Sequence, residues 1–128
     1  MVPERCVLIV DRSEETREVL KTALERRGLR IFAAGHARRG LELAREHHPD
    51  VIVLDLEAGA SSPEDVCTPF VEEAESHQGQ LVVLGSLRRE ERESVRGEFV
   101  PKPYHYGPLI RRIEELLSAS GQPYARSA

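Results

Sequence analysis

Lysine is almost missing from this chain. Of its 18 basic residues only Lys21 and Lys102 are lysines, leaving 16 arginines. Cysteine is nearly as scarce: Cys6 and Cys67 are too few and too far apart for a metal cage or a disulfide framework. Cys6 opens an apolar run and reads as a buried, inert thiol, and a bridge to Cys67 is not expected in a reducing compartment. No apolar stretch approaches the roughly 20 residues that span a bilayer. The start, Met1-Val2-Pro3-Glu4-Arg5, passes directly into a short strand without a signal peptide's long apolar region. No basic run is long enough to form a nucleic-acid surface, and the net charge of −4 argues against one. Internal repeats are absent. The expectation is a cytoplasmic protein that engages neither membrane nor nucleic acid.

What is present is ordinary for a globular domain. The 128 residues, 40% hydrophobic and 31% charged, suffice for one core that buries roughly two-thirds of the unfolded surface. Short apolar runs alternate with amphipathic segments, the pattern of a parallel sheet covered by helices. Cys6-Val7-Leu8-Ile9-Val10 has the length and continuity of a strand buried on both faces, and it ends at Asp11. Ser13 can cap a helix with Glu14 and Glu15 in its first turn and Val19, Leu20, Ala23 and Leu24 along one side; Gly28 closes it. A second strand is predicted over Leu29–Ala33 and a second helix over Ala37–His47, ended by Pro49. Val51-Ile52-Val53-Leu54 is the most strand-like run and stops at Asp55.

A loop, Glu57 to Ser62, then leads into Ser62-Pro63-Glu64-Asp65, which carries a cap, a proline at the first helical position and two acids in the first turn. Pro69 inside this third helix is expected to kink or break it. Leu81–Leu84 reads as the fourth strand, ending at Gly85-Ser86. A short charged helix over Arg88–Val95, whose acids and arginines form a solvated face, precedes a fifth strand, Glu98-Phe99-Val100. The last helix is predicted from about Pro108, with Leu109, Ile110, Ile113, Leu116 and Leu117 on one stripe. From Ser118 the tail reads as frayed. The expected division is therefore one domain over 1–119 and a disordered tail over 120–128.

Five β-α units with right-handed crossovers make an α/β, doubly wound five-stranded parallel sheet with helices on both faces, for which 2-1-3-4-5 is a common order. Ligands of such sheets bind beyond the carboxyl ends of the strands, at the switch point between strands 1 and 3. There stand Asp11 and Asp55, with Ser86 after strand 4 and Lys102 after strand 5. Two carboxylates, an ammonium and a hydroxyl suit a phosphoryl group held with a hard divalent metal. In a chain this rich in arginine, a lysine between Pro101 and Pro103 points to a need for a compact ammonium. The other candidates are weaker. Asp55-Leu56-Glu57 lacks the second aspartate of haloacid-dehalogenase-like phosphatases. His47 and His48 at a helix end complement its dipole rather than bind a metal, and His105 belongs to an exposed helix start.

The segments Val7-Leu8-Ile9-Val10-Asp11, Val51-Ile52-Val53-Leu54-Asp55-Leu56 and Val100-Pro101-Lys102-Pro103-Tyr104 resemble those of a response-regulator receiver domain, over roughly Arg5 to Leu117. The resemblance implies a flavodoxin-like fold, and the strand order above belongs to that same fold family. It implies Asp55 as phosphoacceptor from a histidine kinase or phosphotransfer protein. It also implies Mg²⁺ on Asp11, Asp55 and the Glu57 backbone carbonyl, Lys102 paired with a phosphoryl oxygen, and a cis bond before Pro103. Phe99 falls at the family's aromatic switch position. The protein is then expected to be a signalling module rather than an enzyme. No separate output domain fits in the remaining residues, so its effect is expected to pass through a downstream protein partner.

Four features depart from the family pattern. Arg12 follows Asp11 where a second acid is usual, so the Mg²⁺ site should be weakened. Gly85 stands where strand 4 usually ends in Ser or Thr, and Ser86, one residue on, can substitute only if the strand has already turned. The interval from Gly85 to Phe99 is short, which implies a remodelled output face. The loop after Asp55 lacks the usual Met-Pro and Gly. Two readings stay open: a phosphoryl-accepting receiver, and a pseudo-receiver that binds proteins without phosphorylation. Arg12 directed at Asp55 would favour the second, and Arg12 directed to solvent the first.

Overall fold

A computed structural model describes residues 4–119. Its elements alternate as expected: β1 (Cys6–Val10), α1 (Glu14–Glu25), β2 (Arg30–Ala34), α2 (Ala37–His47), β3 (Val51–Asp55), α3 (Pro63–Ser76), β4 (Gln80–Leu84), α4 (Arg89–Glu93), β5 (Glu98–Val100) and α5 (Tyr106–Ala119), with one 3₁₀ turn at Leu56–Ala58. The five strands are parallel and ordered β2-β1-β3-β4-β5. Residues 120–128, predicted as a disordered tail, lie outside the described residues.

Side chains alternate across each strand, so the continuous apolar runs feed two cores. Leu8, Val10, Ile52, Leu54 and Val83 pack with Leu43, Ala44, Val66 and Phe70 of α2 and α3 on one face. Val7, Ile9, Val51, Val53 and Val82 pack with Leu20, Leu24, Leu109, Ile113 and Leu117 of α1 and α5 on the other. The helix ends follow local chemistry. Ser13 Oγ accepts from Thr16 N–H at 3.2 Å to start α1, and Gly28, at φ +82°, supplies the left-handed turn after it.

Several boundaries differ from the sequence-based ones. The second strand starts one residue later, and α4 is only five residues long. Helix α5 begins at Tyr106 and takes Pro108 into its first turn, where a missing N–H breaks no helical bond. Pro69 does not break α3, which runs unbroken from Pro63 to Ser76. Cys67 and Phe70, on either side of the proline, are 0% and 1% exposed, and their burial against the sheet offsets the lost backbone bond.

Candidate functional site

The carboxyl ends of β1 and β3 deliver Asp11 and Asp55 side by side, 3% and 2% exposed. Each carboxylate is tied down by the backbone that follows it. Asp11 Oδ1 accepts the Ser13 N–H at 2.8 Å, and Asp55 Oδ1 accepts the Glu57 N–H at 3.1 Å. From the loop after β5, Lys102 donates to Asp55 Oδ1 at 2.6 Å and to Glu57 Oε2 at 3.1 Å. The Lys102–Pro103 bond is cis. These groups line an open cavity of about 770 Å³ together with Arg12, Thr16, Tyr104 and Tyr106.

Charge is under strain here. Burial lifts the Asp11 pKa above its ordinary value; the Ser13 N–H opposes this, and repulsion from Asp55 adds to it. For Lys102, burial works against the ammonium, but hydrogen bonds to Asp55 and Glu57 outweigh it and the pKa rises. Burial takes the Tyr104 phenol up to about 12, with the Asp11 charge adding to the shift, so it stays protonated.

A raised folded-state pKa means that native Asp11 binds a proton more readily than the unfolded chain does. Its contribution to stability is therefore present at low pH and is lost as pH rises from 3.8 through the folded value. Asp11→Asn, which keeps an acceptor for Ser13, is expected to stabilise the domain at pH 7 by about 0.5–2 kcal/mol. The gain should shrink as the solution is acidified. Urea unfolding of both proteins at several pH values checks it; equal midpoints at neutral pH would contradict it.

The hydrogen bonds from Ser13, Glu57 and Lys102 all fall on Oδ1 of these aspartates. Two mutually repelling carboxylates this close together are a donor set that fits a small hard cation. Arg12 does not compensate them: its exposed side chain makes no ion pair or hydrogen bond among the described residues.

Of the residues singled out from the sequence, Asp11, Asp55, Glu57 and Lys102 converge. Ser86 does not: it is exposed and does not line the cavity. Strand β4 stops at Leu84, and Gly85 adopts φ +131°, with its N–H bonded to Val100 O at 2.9 Å. A Cβ on Gly85 would stand 3.0 Å from Leu56 Cδ1. Gly85→Thr, which would restore a hydroxyl at the strand end, is thus expected to destabilise the domain by about 1–3 kcal/mol. A lower urea midpoint checks this, and an unchanged one would refute it. Phe99 is half-buried against the α2/α3 core.

Three site residues carried no sequence signal. Arg17 Nη1 donates to the carbonyls of Asp11 (2.8 Å) and Arg12 (3.3 Å), bracing the loop after β1. Thr16 Oγ1 lies 3.1 Å from the Tyr106 hydroxyl at the cavity wall. Only folding brings α1 against the start of α5.

Comparison with known proteins agrees with this geometry. The family model of the response regulator receiver domain matches residues 7–91. Across 117 residues the chain is 32% identical to the KDP operon transcriptional regulatory protein KdpE of Escherichia coli, covering 87% of this chain and 50% of that protein. It is 27% identical to the transcriptional regulatory protein SrrA of Staphylococcus aureus, covering 94% of this chain and 54% of that one. The chain thus spans about half the length of these curated relatives. Among solved structures, chemotaxis protein CheY4 of Vibrio cholerae superposes with a TM-score of 0.72 at 18% identity, covering 89% of this chain and 99% of that one. A CheY-like receiver domain from Methanospirillum hungatei gives 0.77 at 17%, with 92% and 97% covered. The chain belongs to the response-regulator receiver domain family, the signalling module of two-component systems, and its fold is flavodoxin-like. Among the described residues no helix is long and apolar enough to cross a membrane.

Proposed function

We propose that this receiver domain, taken over residues 1–119, accepts a phosphoryl group on Asp55 from a histidine kinase or phosphotransfer protein and signals through a downstream protein partner. The observation that carries the reading is Lys102 Nζ at 2.6 Å from Asp55 Oδ1, in a cavity that Asp11 also lines. Asp11, Asp55 and the Glu57 backbone carbonyl would hold Mg²⁺. When bound, the ion supplies charge neutralisation between the aspartate and the incoming phosphoryl oxygens. Arg12, in place of a second acid, argues for a weakened Mg²⁺ site.

In this reading a carboxylate oxygen of Asp55 attacks the phosphorus of a phosphohistidine. An O–P bond forms, the P–N bond breaks, and its electron pair returns to the imidazole nitrogen. Asp55 cannot rotate freely during the attack, because the Glu57 N–H anchors it. Lys102 would pass from Asp55 to a phosphoryl oxygen, a move suited to a point charge on a flexible stem. Phe99 would report the change to the partner-facing surface. Ser86, exposed, stays outside this sequence of events.

A second reading, a pseudo-receiver that docks proteins without phosphorylation, draws support from Gly85 and from Lys102 already bridging Asp55 and Glu57. Arg12, exposed and without an ion pair among the described residues, favours the first. Acetyl phosphate with Mg²⁺ is expected to add one phosphoryl group to the intact mass, and beryllofluoride to shift amide resonances around Asp55. If neither changes, the phosphoryl-acceptor reading fails and the docking module stands.

A further inference from the structure

At the end of the sheet opposite the cavity, α2 and α3 end next to each other, just before β3 and β4 begin. His48 follows the last residue of α2, and Glu73 and His77 lie on the last turn of α3 and just beyond it. One ligand atom from each of these three residues falls within 4.8 Å of the other two. Glu73 Oε1 is 3.6 Å from His48 Nδ1 and 3.9 Å from His77 Nδ1. Ligand atoms of a tetrahedral zinc site, with bonds near 2.1 Å, sit about 3.4 Å apart. Small side-chain adjustments would close the difference.

Against the sequence-based expectation that His48 only complements the helix dipole, we propose that His48, Glu73 and His77 form a binding site for one divalent transition ion of the zinc class, joining the ends of α2 and α3.

Three independent features support it. The Glu73 side chain is only 17% exposed, yet among the described residues no lysine or arginine pairs with it; the two imidazoles are its only partners of potential positive charge. A carboxylate so far withdrawn from water calls for a cation. Second, His77 Nε2 is 3.1 Å from the Pro49 carbonyl, which can only accept, so the Nε2–H donates there, and in that tautomer Nδ1 faces Glu73 with its lone pair. An imidazole whose other nitrogen donates to a carbonyl is the usual arrangement of a metal-bound histidine. Ser76 Oγ, 3.2 Å from that Nδ1, already donates its proton to Glu73 O at 2.7 Å, so the lone pair is left for another partner.

Third, the ring is seated by glycine. A Cβ on Gly79 would lie 2.9 Å from Pro49 O and 3.2 Å from His77 Nε2, so a larger residue there would displace the hydrogen bond that orients His77. His48 is aimed by its backbone, at φ 47° in the left-handed helix-end conformation. Two imidazoles and one carboxylate suit zinc, cobalt, nickel or copper rather than Mg²⁺ or Ca²⁺, and water completes the coordination. The donor set thus separates this site from the all-oxygen cavity around Asp55.

Isothermal titration of the 128-residue chain with Zn²⁺ in a non-chelating buffer tests the proposal, with Co²⁺ absorption reporting coordination. Wild type is expected to bind one ion at this site. His48→Asn tolerates the left-handed backbone, and Glu73→Gln keeps the side chain's shape, so both should fold; circular dichroism verifies this. Each is expected to weaken binding at least about 10-fold. Asp55→Asn should leave the zinc affinity unchanged, which keeps this result separate from that of the phosphoryl site. Absence of Zn²⁺ binding to wild type, equal binding by wild type and His48→Asn, or loss of binding with Asp55→Asn alone would overturn the proposal.

Discussion

Asp55→Asn is expected to eliminate phosphoryl incorporation from acetyl phosphate or a phosphohistidine donor, by on the order of 10³-fold or more. The amide is not a nucleophile, and no other carboxylate shares the position of Asp55: 2% exposed, tethered by the Glu57 N–H and paired with Lys102. Asp11 is the nearest alternative, but its Oδ1 is held by Ser13 and it makes no ion pair with Lys102. The change should not unfold the protein. Asparagine's carbonyl can still accept both hydrogen bonds, and removing one of two adjacent buried charges relieves the repulsion that adds to burial in raising the Asp11 pKa. Intact-mass measurement with Mg²⁺ and a phosphodonor, beside a urea melt, reads both consequences. Incorporation at the wild-type level in a folded variant would remove Asp55 from the mechanism.

The largest effect on stability is expected at Phe70, the bulkiest side chain among those fully buried. It sits in the α3 face of the core with Val66, Cys67 and Ala74, directly after the proline that removes a helical hydrogen bond. Phe70→Ala would lose the ring's burial and leave a cavity, costing about 3–5 kcal/mol. Against a native stability of roughly 5–15 kcal/mol, that is a large share. A drop in the urea midpoint without a change in slope checks it. A loss below about 1 kcal/mol would show that α3 is held mainly by something other than Phe70.

The two experiments probe the two ends of one design. The sheet's apolar interior holds β1 and β3 in register, Val7 opposite Val51 through Val10 opposite Leu54, and this register brings Asp11 and Asp55 together. Burial that stabilises the strands also desolvates the acids at their ends. The raised Asp11 pKa is therefore a local loss of stability that the core offsets.

Much of this was legible along the chain. Apolar runs of five and four residues, Cys6–Val10 and Val51–Leu54, that stop at Asp11 and Asp55 mark central strands and their candidate functional ends, because a strand buried on both faces excludes polar residues until it leaves the sheet. Lys102 stood out because arginine is used nearly everywhere else. Pro69 misled because local propensity cannot register the burial of Cys67 and Phe70 that carries the helix through it. Ser86 was ambiguous because a side chain's direction at a strand end depends on one backbone angle, the positive φ of Gly85.

Periodicity and local chemistry were thus enough for the elements, their layering and the chemical character of one rim, since these depend on neighbours in the chain. Which groups meet across separate elements was set by packing: Arg17 against the loop after β1, Thr16 against Tyr106, and His48 against Glu73 and His77. Such pairs lie up to 90 positions apart. They are specified by distances of a few ångströms, which no repeat or spacing in the sequence encodes.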